Sequence, residues 1–148
     1  MKTFYDLLDT NRRIQFTMRL RPLFKELPPV IEVGVNGRVL HSGKLQTSLE
    51  SHGSFGIREN LSVSIAMNGK QYKVDSTSAV ILESFVVDNF EIKDQMTQQS
   101  TYTHDSMSDH SGVTDHIGWN GRWEFTTGMP FYHFKHKVKN QGWLISPQ

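Results

Sequence analysis

Asn-Gly occurs three times in this chain, at Asn36-Gly37, Asn68-Gly69 and Asn120-Gly121, each time beside short runs of alternating or clustered apolar residues. A type I′ turn needs positive φ at both central residues, which asparagine tolerates and glycine adopts freely. Each dipeptide therefore predicts a two-residue β-hairpin. Three such signals within 148 residues constrain the chain to an all-β fold of one domain, 1–148, large enough to bury a core without disulfides.

The flanking runs supply the strands. Leu61, Val63, Ile65 and Met67 share one face, with Ser62, Ser64 and Ala66 on the other, and Tyr72 and Val74 resume the alternation after Asn68-Gly69. Ile14, Phe16, Met18 and Leu20 alternate with Gln15, Thr17, Arg19 and Arg21, a half-buried strand with a basic outer face that Pro22 ends. Residues 23–27 cross the end of a sheet, and Pro28-Pro29 forces an extended entry into 30–35, which pairs across Asn36-Gly37 with 38–40. Residues 43–49 add a strand, and 50–59 form a loop carrying the solitary apolar pair Phe55 and Ile57. The run 79–87 is apolar on both parities except at Glu83 and Ser84, as in a strand covered on two sides, and Asp88-Asn89 makes a tight turn. Glu83 marks where that strand meets solvent or an arginine.

From Lys93 to His116 aliphatic residues nearly vanish, which predicts a long polar loop. Trp119 to Phe125 form the third hairpin. Pro130 opens a short C-terminal helix with Phe131, Phe134 and Val138 on one stripe and Gly142 near its cap, and residues 143–145 close the chain as a strand. The sum is a two-sheet antiparallel β-sandwich, jelly-roll-like and not immunoglobulin-like, because the cysteine pair of antibody domains is missing.

Sixteen basic against fifteen acidic residues give a net charge of +1, too little field to hold nucleic acid. With no cysteine, thiolate metal sites and disulfides are excluded. No run has the length of a membrane span, and residues 1–16 lack the apolar segment of a signal peptide, so a soluble protein without its own secretion signal is expected. The sequon at Asn60 matters only if the chain enters a secretory pathway.

Chemistry is less legible than fold. His104, Asp109 and His110 lead the group of potential ligands in the polar loop, where a divalent cation could bind, although their spacing matches no known metal motif and better suits a solvated loop. His133 and His136, interleaved with Lys135, Lys137 and Lys139, could hold an anion or form a plain polar helix face. Trp119, Trp123 and Tyr132, with Asn120 and Arg122 between them, could stack on a sugar ring and read its hydroxyls; the same tryptophans also suit the core at one end of the sandwich. No nucleophile elbow, phosphate loop or dinucleotide fingerprint is present, so no catalysis and no cofactor are expected.

At VILESFVVDNFEI and IGWNGRWEFTTGMPFYHFKHKVKNQGWLISP the chain resembles small jelly-roll modules of the carbohydrate-binding kind, and also short β-sandwich proteins of tailed-bacteriophage, cyanophage-like virions. The likeness covers residues 78–147. It implies a non-enzymatic structural or interaction protein of a virion, oligomeric or assembly-bound, docking to protein subunits through strand edges, termini and the polar loop. The alternative is a carbohydrate-binding module that takes a glycan through exposed aromatics, and a small metal-dependent hydrolase is third. Calcium is common in such modules, but no acidic calcium loop aligns here.

Overall fold

Alternation in the first strand is realised residue by residue: Ile14, Phe16, Met18 and Leu20 are buried, while Arg13, Gln15 and Arg19 face outward. A computed structural model describes residues 13–104 and 114–131. Within them the strands run β1 (Arg13–Leu23), β2 (Val30–Val35), β3 (Arg38–Lys44), β4 (Leu49–Gly56), β5 (Asn60–Met67), β6 (Ala79–Val87) and β7 (Phe90–Glu91). Helix α1 (Lys93–Gln99) follows, then β8 (Thr101–His104), β9 (His116–Ile117) and β10 (Gly121–Pro130).

These strands make the expected sandwich of two antiparallel sheets. The first has the order β4-β1-β6-β7, with β9 also paired to β6; the second has the order β3-β2-β5-β10-β8. The inward parity of one sheet meets that of the other. Phe16, Phe55, Leu82 and Phe85 from the first sheet and Val33, Leu61, Ile65, Trp123 and Phe125 from the second belong to one buried cluster. Phe16 stacks on Phe85 at 5.2 Å between ring centroids, and Phe55 meets Phe131 edge-on at 5.0 Å.

The Asn36-Gly37 and Asp88-Asn89 turns form as predicted, with φ of 49° and 81° at the first pair and 47° and 65° at the second. The other two Asn-Gly dipeptides do not make hairpins. Both sides of β5 are already taken, by β2 and β10, so no place remains for a strand returning from Asn68-Gly69. Residues 68–78 instead carry the chain to the other sheet, which leaves Val74 exposed. Asn120-Gly121 likewise joins β9 in the first sheet to β10 in the second.

Other departures have local causes. Pro22 does not end β1: it lies opposite Val80, in a stretch where β4 has already ended opposite Leu20, so a missing N–H leaves no gap on that side. Residues 45–48 are not strand, and the loop expected from Glu50 is β4, with Phe55 and Ile57 in the core. Its alternation is hidden in the sequence because the inward residue at position 53 is glycine. Strand β6 is internal as expected, but a bulge accounts for its mixed parity. Ser84 pairs with Arg19 and Leu82 with Leu20, so Glu83 is the extra residue and the inward set switches from Val80 and Leu82 to Phe85 and Val87. Glu83 meets an arginine, Arg21, at 3.5 Å.

The polar stretch 93–116 is not a loop throughout. Met96 and the preceding Ile92 are buried and dock α1 on the core, and Lys93 bonds Asp115 at 2.7 Å, tying the two ends of the stretch together. That hydrogen bond holds the Lys93 ammonium above the ordinary lysine range. The helix seen is thus α1. Pro130 closes β10, and the C-terminal helix expected after it lies, beyond Phe131, outside the described residues, as does the strand expected at 143–145.

Gly53 faces Phe16 across β4 and β1, and a Cβ placed on it would sit 2.6 Å from Phe16 Cζ. Making room for that Cβ would shift the ring against its stacking partner Phe85. Gly53→Val is therefore expected to cost about 1–3 kcal/mol by overpacking, read as a lower urea midpoint at unchanged slope. A midpoint equal to the wild type would show that the Phe16 ring has room to move.

Candidate functional site

Loop 68–78 and the 118–120 crossover meet at one end of the sandwich, and two tyrosine hydroxyls fix the crossover there. Tyr102 donates its hydroxyl proton to Trp119 O at 2.6 Å and accepts the Trp119 N–H at 2.9 Å, so both backbone groups of one residue are satisfied by a single side chain. Tyr72 accepts the Asn120 N–H at 2.8 Å. The Asn120 side chain completes the lock. Its Oδ1 accepts the Lys70 N–H at 2.8 Å and its Nδ2 donates to Lys70 O at 3.2 Å, a side-chain amide standing in for a backbone pair.

The result is an aromatic platform that is held rigidly yet open to solvent. Trp119 is 40 % exposed, with the Tyr72 ring 5.7 Å away and tilted by 42°. Lys70 Nζ lies 5.2 Å from the Tyr72 centroid and 5.7 Å from that of Trp119, and donates to Ser76 O and Gly118 O. A cation so placed polarises both rings and braces the crossover from beneath.

The residues singled out in the sequence separate here. Trp123, two positions beyond Gly121, is 0 % exposed and its indole N–H donates to Thr114 O at 2.8 Å. Its ring belongs to the core, with no face left to stack on a sugar. The Asn120 amide bonds Lys70 through both its oxygen and its nitrogen, which ties the crossover next to Trp119 to loop 68–78. Arg122 points to the outer face of the second sheet, paired with Glu124 at 3.2 Å and more than half exposed. Tyr132, Asp109 and His110 lie outside the described residues, and so do His133 and His136. His104 is described as the end of β8, opposite Gly121. Among the described residues no group of three or more histidines or carboxylates could hold a metal ion.

Lys70 and Tyr72 were not apparent as site residues. Read as a strand, Tyr72 belongs to a hairpin; what places it beside Trp119 is the crossover, which carries no local sequence signal.

No helix among the described residues is long and apolar enough to cross a membrane. No family model matches the chain, and no curated protein does. Among solved structures the chain is similar to the carbohydrate-binding module vCBM60. A selenomethionine form of that module, described in connection with two families of calcium-dependent carbohydrate-binding modules, is 16% identical with a TM-score of 0.49, the match covering 76% of this chain and 89% of that one. A second structure of vCBM60, in complex with galactobiose, is 17% identical with a TM-score of 0.48 and covers 75% and 96% of the two chains.

Proposed function

We propose that this protein is a non-catalytic glycan-binding module whose contact ring is Trp119. The observation that carries the reading is the exposed indole held by side chains from β8 and from loop 68–78. A flat apolar face, rigid before binding, stacks on the apolar face of a pyranose at little cost in ordering. The polar groups around it are each bonded to backbone. That arrangement suits holding a sugar by its ring face. Both termini and the middle of the polar loop, through which docking to virion subunits is expected, lie outside the described residues.

Titration of the protein with neutral oligosaccharides, galactobiose among them, followed through amide and indole N–H resonances, tests the proposal. Trp119→Ala is expected to weaken binding by at least about tenfold, about 1.4 kcal/mol, with the melting temperature little changed. Equal affinity in the variant and the wild type would remove Trp119 from the site.

A further inference from the structure

The outer face of the second sheet carries a trough that the Trp119 platform does not use. In register across the strands, Gly34, Ser64, Glu124 and Thr101 form one row, and Glu32, Ala66, Arg122 and Thr103 form the next. On β5 both rows carry a small residue, Ser64 and Ala66. The Ser64 hydroxyl lies over Gly34, where a Cβ would stand 3.2 Å from its Oγ, so the floor between β2 and β5 is built of small groups. Arg122 and Glu124 rise from β10, and Val39, 56 % exposed on β3, forms an apolar rim opposite. The trough is open to solvent and holds a volume of about 560 Å³.

We infer that this trough is an extended subsite for a neutral oligosaccharide chain several rings long. Its charges cancel, with Glu32 and Glu124 against Arg38 and Arg122, so neither a polyanion nor a polycation is favoured. What it offers instead is a field of short hydrogen-bonding groups. Ser62 Oγ donates to Thr126 Oγ1 at 3.2 Å, and Asn36 clamps the same strand by accepting the Ser62 N–H at 2.7 Å and donating its own N–H to Ser62 O at 2.8 Å. The hydroxyls of Ser62, Ser64, Thr101 and Thr126, with the apolar rim of Val39, match a chain of hydroxyl-bearing rings lying flat on the sheet. The ligand class rests on the glycan reading above; the residues are independent of it.

The test uses cello-, xylo- and galacto-oligosaccharides of two to six rings on the wild type, Trp119→Ala and Ser64→Phe. Position 64 faces outward, so the phenylalanine fills the trough without entering the core. The wild type is expected to bind the hexasaccharide of at least one series about tenfold tighter than the disaccharide, with amide shifts at Ser62, Ser64, Glu124 and Thr126 for the longer ligand. Ser64→Phe should abolish that gain while leaving disaccharide affinity within about twofold. Should Trp119→Ala bind like the wild type while Ser64→Phe loses the gain, the trough stands and the Trp119 platform falls. A length gain that survives Ser64→Phe, or no trough shifts with any hexasaccharide, overturns the inference.

Discussion

Trp123→Ala is expected to lower stability by about 3–5 kcal/mol, whereas Trp119→Ala should stay within about 0.5 kcal/mol of the wild type. The two tryptophans are four residues apart and equally aromatic; burial separates them, 0 % against 40 % exposed. Removing Trp123 leaves a cavity between the sheets beside Ile65 and Tyr102, its cross-strand partners, and also frees Thr114 O of its indole donor. Paired urea titrations of the two variants read this directly. Equal midpoints would mean that the Trp123 ring is not part of the packed core.

Asp75 is the second residue on which much of the fold should depend. One of its carboxylate oxygens accepts the N–H groups of Lys25, Glu26 and Leu27 at 2.7, 2.8 and 3.1 Å, and the other accepts the Thr77 N–H at 3.0 Å and its hydroxyl at 2.5 Å. A 4 % exposed residue thereby pins the β1–β2 crossover to the β5–β6 crossover. The Thr77 hydroxyl and then the backbone donors hold its carboxyl well below the usual carboxylate range. Asp75→Ala should lower the melting temperature by on the order of 10 °C at neutral pH. Asp75→Asn should do nearly as badly, because one oxygen becomes a donor facing other donors.

The pH dependence has a definite sign. A carboxyl depressed by folding stabilises the native state above its unfolded pKa of about 3.9, and this stabilisation is lost as pH falls toward the depressed folded value. The gap in melting temperature between wild type and Asp75→Asn should therefore be constant from neutral pH to about pH 5 and narrow below the unfolded value. A gap unchanged on further acidification would show that Asp75 acts by shape alone.

The sequence made the sandwich legible because inward parity is written locally: the buried sets of β1 and β5 can be read straight off their alternation. Parity fails as a guide where the backbone interrupts it. The glycine at 53 hides an inward position, and the bulge at Glu83 makes a single inward face look like two. Asn68-Gly69 and Asn120-Gly121 carry full hairpin chemistry, yet strand pairing elsewhere in the chain decides their fate. The same non-local information builds the candidate sites. Nothing near Trp119 in sequence announces Tyr72 or Lys70, and the trough exists only once β2, β5, β10 and β8 stand side by side.

The two-way bond between the Tyr102 hydroxyl and the backbone of Trp119 also has a thermodynamic consequence. Because the crossover loses its freedom when the chain folds, a ligand stacking on the indole as proposed would have little left to freeze, and its association should show a small entropic penalty. The same bond couples the crossover to the second sheet: because Tyr102 belongs to the buried cluster, the backbone of Trp119 keeps its place for as long as β8 stays packed.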